Sequence, residues 1–307
     1  MIRLWNPFSA IRHLFIIFSR SNPFIILSVF MLTGLGLLGV FTTGRHLADT
    51  PYHFFYRQLS YALVGVCFMC LMSMFDYSRF RFKTYWPYIG TIILLMAVLV
   101  WGRNNSWLQL PFFSIQPSEI GKLILICYIS YMMAFHRMEK MTFWADSVPI
   151  LFTCALLIIP TALQPDFGTA LIMSIITVYM LLAGDMPFKH LAVPAMCALP
   201  FIIAVPLFHP YVMRRFANLL VCLNPMANPS QLSFHDYHMR MAMGHGGLLG
   251  TGFGKGLVKR SFLPASHTDS IFTVLVEEGG YLTGILIIVL FLALLWIGET
   301  TARSAKD

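Results

Sequence analysis

Charge is scarce in this sequence. Asp, Glu, Lys and Arg make up 11% of its 307 residues, less than half of the roughly 25% usual in a soluble domain. The length could hold two soluble domains, but a chain that is 58% hydrophobic, with mean hydropathy +0.73, points instead to one bundle of membrane helices. Acids are scarcer than bases, 13 against 21. The resulting net charge of +8 reads as basic cytoplasmic loops, so nucleic acid is not an expected partner. Cysteine is sparse as well: Cys67, Cys70, Cys127, Cys154, Cys197 and Cys222 are scattered, and all but Cys222 fall in apolar segments. No disulfide framework is implied, and Cys67-Phe-Met-Cys70 reads as helix packing rather than redox or metal chemistry. The N-terminus does not read as a signal peptide either. The first twenty residues carry Arg3, Arg12 and Arg20 among aromatics, with no cleavage site, and suit an interfacial amphipathic helix.

Long apolar runs are what the chain has in plenty. A span needs about 20 mostly apolar residues, and eight stretches qualify: 23–41, 55–75, 86–101, 117–135, 147–163, 168–184, 190–208 and 271–298. The expected fold is an all-α, polytopic membrane bundle, a single integral domain over 1–307 with a long external loop at about 209–269. Pro194, Pro200 and Pro206 should kink the seventh span. Arg79, Arg81, Lys83, Arg137, Lys140, Lys189, Arg303 and Lys306 gather with the N-terminal arginines on one side of the bilayer. That side is therefore cytoplasmic, with both termini inside.

On the outer side, three helix starts carry a carboxylate. They are Gln116-Pro117-Ser118-Glu119, Gln164-Pro165-Asp166-Phe167-Gly168-Thr169 and His267-Thr268-Asp269-Ser270. Helix capping accounts for any one of them at about 0.3–1 kcal/mol each. Capping accounts less well for Lys122 three residues after Glu119, or for Glu277 and Glu278 two turns beyond Asp269. A charge at mid-bilayer costs about 2.5–3.5 kcal/mol, which favours a polar, outward-facing cavity.

The external loop adds basic residues and glycines. Arg214, Arg215, Arg240, Lys255, Lys259 and Arg260 occur with glycines at 244, 246, 247, 250, 252, 254 and 256. Exposed backbone amides and cations together suit an anion. No Walker pattern is present, so the anion expected at a bilayer surface is a phosphate carried by a lipid; attraction to lipid headgroups without chemistry is the alternative. His235, His238 and His245 lack the Cys or Glu that would complete a zinc site. They read as interfacial or substrate-contacting residues, and no protein-only metal site is expected.

In order and spacing these motifs resemble the SEDS family, the shape, elongation, division and sporulation proteins. The likeness rests on Gln116-Pro117-Ser118-Glu119 with Lys122, on Gln164-Pro165-Asp166-Phe167-Gly168-Thr169, and on Met243-Gly244-His245-Gly246-Gly247-Leu248-Leu249-Gly250. Phe262-Leu263-Pro264 followed by His267-Thr268-Asp269 and Glu277-Glu278 completes it. The chain departs from the family pattern at Ala265, usually Glu, at Ser270, usually Phe, and at Gly279-Gly280, where the acidic pair is usually followed by Leu. Family members have ten helices, so the resemblance implies that two are missing here and that residues 1–307 alone polymerise little.

The resemblance implies a peptidoglycan glycosyltransferase that joins lipid II molecules at the outer face of the bacterial cytoplasmic membrane during division or elongation. Asp269 would be the catalytic base. Arg214, Arg215, Arg240, Lys255, Lys259 and His267 would bind substrate, and Glu119, Lys122, Asp166, Glu277 and Glu278 would shape the cavity. The one cofactor considered is a divalent cation, Mg or Mn, shared with substrate oxygens. Expected partners are lipid II, membrane lipids and a class B penicillin-binding protein transpeptidase. A flippase for the same lipid-linked precursor is the rival reading, and a scaffold without activity a third.

Overall fold

The computed structural model describes residues 22–44, 52–74, 84–101, 106–109, 114–135, 142–164, 166–192, 196, 210–224, 232–256 and 268–304. Seven of the eight expected spans are helices: α1 Pro23–Gly44, α2 His53–Met74, α3 Tyr85–Trp101, α4 Pro117–Phe135, α5 Val148–Leu163, α6 Phe167–Ala183 and α9 Ile271–Ser304. The seventh, 190–208, lies almost wholly outside the described residues. Among the described residues four helical segments can cross a membrane by length and composition: α1, α2, α5 with the π-helical turn Phe143–Ser147 that leads into it, and α9. Helices α3 and α6 are apolar but shorter. The protein is an integral membrane helix bundle. Among the described residues its one departure from all-α is a two-residue antiparallel ribbon, β1 Leu108–Gln109 with β2 Ser114–Ile115.

Local chemistry sets the helix starts. Asn22 caps α1 by accepting from the Phe24 amide at 3.1 Å, with Pro23 in the first position where no amide is needed. Pro117 plays the same part in α4. Asp166 is the N-cap of α6, its carboxylate accepting from the Thr169 amide at 3.2 Å.

Two further helices lie in the stretch that reads as an external loop: α7, Pro210–Leu223, and α8, Phe234–Gly246. Ser233 caps α8 by accepting from the Asp236 amide at 3.2 Å, and its hydroxyl donates to the Asp236 carboxylate. The cap and the third residue of the helix are thus also joined through their side chains.

The chain forms two compact units. In Asp76–Pro210, helices α3 to α6 pack around Leu95, Leu125, Ile129, Ile150, Leu157, Met173 and Leu181, all fully buried. The ring of Tyr88 stacks on Tyr128 at 4.2 Å while its hydroxyl donates to the Thr153 carbonyl at 2.8 Å. Lipid gives helices little hydrophobic reason to associate, so such close packing and interhelical hydrogen bonds carry the assembly. In the other unit, Met1–Phe75 with Tyr211–Asp307, α9 packs on both α1 and α8.

Candidate active site

In the α3–α6 unit, the two Gln-Pro starts are joined. Gln116, just before α4, donates its amide to the Asp166 carboxylate at the start of α6. Gln164 donates its side-chain amide to the Leu95 carbonyl at 2.9 Å, and its own carbonyl accepts from the Ser106 hydroxyl at 2.9 Å. These bonds tie the starts of α4 and α6 to each other and the end of α5 to α3. Asp166 is thus both a cap and an interhelical tie, a role that spacing alone did not indicate.

Glu119 and Lys122 pair as expected. Lys122 Nζ lies 2.9 Å from both carboxylate oxygens. Glu119 is exposed and Lys122 partly so, and a solvated pair of this kind contributes at most about 1 kcal/mol. Glu119→Gln and Lys122→Ala should therefore each lower activity while the double variant loses less than their sum. Lipid II turnover of the three variants checks this. Additive losses would mean that the two side chains act separately.

In the α8–α9 unit, the central feature is a break in α9. Gly280 has φ +75°, outside the helical region. A broken helix leaves carbonyls unpaired before the break and amides unpaired after it, which is costly inside a bilayer. The glycine-rich segment after α8 satisfies both sets. Thr251 and Gly252 donate their amides to the carbonyls of Glu277 and Glu278 at 3.0 and 2.9 Å. Tyr281 and Leu282 donate theirs to the carbonyls of Gly247 and Leu248 at 2.9 and 3.4 Å. The approach is so close that a Cβ on Gly250 would lie 2.1 Å from the Glu278 carbonyl oxygen, and one on Gly280 2.2 Å from that of Leu248. The glycines thus serve a main-chain seam, rather than only the anion cradle their pattern suggests.

Glu277 and Glu278 are buried at this seam, 0% and 1% exposed. Glu277 Oε1 stands 3.5 Å from His245 Nδ1 in the last turn of α8, and a Cβ on Gly256 would touch its other oxygen at 2.8 Å. The acidic pair is therefore held by the α8–loop–α9 seam. The other two histidines have separate partners. His238 Nδ1 lies 2.7 Å from the Phe234 carbonyl, and His235 Nε2 lies 3.5 Å from the Ser270 hydroxyl. Among the described residues no group of three or more His, Cys, Asp or Glu could hold a metal ion.

Asp269 lies in the turn before α9 and is exposed. Its neighbour Ser270, buried, holds the cap position, because its carbonyl accepts the first helical hydrogen bond, from the Val274 amide at 3.1 Å. Among the described residues no side-chain hydrogen bond or ion pair occupies the Asp269 carboxylate. A carboxylate beside the cap, rather than engaged in it, is available for chemistry. Arg240 is half-buried on α8, and Lys255 is exposed in the seam segment. Arg214 and Arg215 are exposed on α7. Lys259 and His267 lie outside the described residues.

The chain is similar to known proteins along most of its length. The FtsW/RodA/SpoVE model, described as a cell cycle protein, matches residues 21–307. A probable peptidoglycan glycosyltransferase FtsW from Geobacter metallireducens is 31% identical over 299 residues, covering 94% of this chain and 79% of that protein. The stage V sporulation protein E of Bacillus subtilis is 32% identical over 296 residues, covering 92% of this chain and 79% of that one. A chain from a solved peptidoglycan synthase complex shares the fold, with TM-score 0.64 at 23% identity, over 87% of this chain and 75% of its own. Since the family match runs through the tied starts of α4 and α6, the glycine seam and the whole of α9, this chain belongs to the FtsW/RodA/SpoVE family.

Proposed function

We propose that this protein is a peptidoglycan glycosyltransferase that polymerises lipid II at the outer face of the bacterial cytoplasmic membrane, with both termini in the cytoplasm. The observation that carries the reading is Asp269, an exposed carboxylate mounted beside the capped end of a membrane helix. Lipid II keeps its polyprenyl chain in the bilayer, so its sugars reach the protein at the membrane surface. A base on a rigid helix end meets them there. The acceptor 4-hydroxyl attacks C1 of the donor glycan as Asp269 takes the hydroxyl proton. The new O4–C1 bond forms while the bond from C1 to the diphosphate oxygen breaks, inverting C1 and releasing undecaprenyl diphosphate. A positioned base of this kind contributes about 10²–10⁴-fold.

Cations on the same unit serve the leaving group. Arg240 and Lys255 are candidates to neutralise the diphosphate, and the seam holds Lys255's segment against α9. Lys259 would extend this set. Among the described residues no group of carboxylates or histidines fits a divalent cation, so a cation shared with the substrate would be held mainly by diphosphate oxygens and water. Such an ion would supply charge stabilisation at the diphosphate.

The distribution of charge favours polymerisation over lipid transport. Helices α1, α3, α5 and α6 carry no Asp, Glu, Lys or Arg, whereas a flippase needs polar side chains along its transmembrane path. A class B penicillin-binding protein transpeptidase, anchored by one transmembrane helix, is the proposed partner. The deciding experiment supplies purified protein, alone and with that partner, with labelled lipid II. Glycan ladders on a gel are expected when the partner is present. Transfer of lipid II between leaflets without any polymer would establish the flippase instead.

A further inference from the structure

We infer that α7, Pro210–Leu223, is an interfacial helix lying in the surface of the bilayer, with its apolar face among acyl chains and its arginines on anionic phospholipid headgroups. At 14 residues and about 1.5 Å per residue, it is too short to cross a hydrocarbon core of about 30 Å. Its pattern is nevertheless sharply two-sided. At about 100° per residue, Arg214, Arg215 and Asn218 share an arc of about 100°. Met213, Leu219, Leu220 and Leu223 share the opposite one.

The apolar arc is not covered by the protein. Those four side chains are between 49% and 69% exposed, a contiguous apolar face that water would disfavour. Charge decides the occupant. The helix contains no acid, and its two cations stand together on the polar arc, a pattern suited to anionic headgroups. Position agrees, because α7 directly follows the apolar stretch 190–208. The basic residues thus divide by the element that bears them. Arg214 and Arg215 serve the bilayer, whereas Arg240 and Lys255, on α8 and the seam, are the substrate candidates.

Photocrosslinking tests this in the full chain. Benzoylphenylalanine is placed at Leu220, or at Asn218 in the opposite arc, and the protein is reconstituted in vesicles of phosphatidylglycerol and phosphatidylcholine. Lipid adducts from position 220 should exceed those from 218 by about fivefold or more. With Arg214→Gln/Arg215→Gln the excess should fall about threefold or more in these vesicles, and stay unchanged in phosphatidylcholine alone. Equal adducts from both positions, or cross-links from 220 mainly to protein, overturn the proposal. An excess that the double Gln variant leaves unchanged in anionic vesicles also overturns it. If that variant loses lipid II binding at the same time, the arginines belong to the substrate.

Discussion

Asp269→Asn will leave the protein folded and lower glycan synthesis by about two orders of magnitude or more. Folding is expected to survive because the cap of α9 is Ser270, whose carbonyl accepts from Val274, and because the Asp269 side chain is exposed. Surface changes of this kind usually stay within about 0.5 kcal/mol. Activity is expected to collapse because Asn has the shape of Asp but cannot take the acceptor proton. Thermal unfolding and lipid II turnover, measured on the same preparations, separate the two effects. An Asn variant as stable and as active as the parent would remove Asp269 from the chemistry. One that loses both together would assign it to the turn.

The second large effect belongs to Gly280→Ala. With φ +75°, a side chain here strains the backbone by about 1–3 kcal/mol. Its Cβ would also sit 2.2 Å from the Leu248 carbonyl oxygen and 2.5 Å from the Gly250 amide nitrogen. Backbone atoms cannot step aside as a flexible side chain can, so the total should be on the order of 3 kcal/mol or more. The seam must open, and with it go the placement of Lys255 and the burial of Glu277 and Glu278. A clear fall in unfolding temperature and loss of turnover are expected. Gly244→Ala is the control: it lies in α8 with no atom within 4 Å of the added Cβ, and should be neutral or slightly stabilising. If Gly280→Ala behaves like Gly244→Ala, the seam is not rigid.

Much of this was legible in the residues. Apolar runs placed the spans, because lipid demands about 20 apolar residues whatever the rest of the fold does. Asp166 was legible as a helix start because capping is local chemistry, and Glu119 with Lys122 because i, i+3 neighbours share a face. What escaped was tertiary. Nothing local says that Gln116 reaches Asp166, fifty positions on. The break in α9 was hidden inside an apolar run, although Glu277-Glu278-Gly279-Gly280 is an odd sequence for the interior of a span. Helices α7 and α8 did have local signals: Ser233 three residues before Asp236, and the two-sided pattern of 210–223. Basic residues and glycines spread over the same stretch give it the composition of a loop. His235 beside Ser270 and His245 beside Glu277 depend on how α8 packs on α9, which periodicity does not encode.

A seam built from main-chain atoms also shapes how this protein can drift. Leu248 and Leu249 contribute their backbone to the segment that clasps α9, yet their side chains are 72% and 80% exposed. Those side chains can be exchanged without moving the clasp, since amides and carbonyls are the same in every residue. Lineages of this protein can therefore vary what the segment displays while keeping what it holds. The glycines at 246, 250 and 280 have no such freedom, because a Cβ on any of them would meet main-chain atoms at 2.5 Å or less. New recognition can be acquired on that surface without touching the two halves of the helix beneath it.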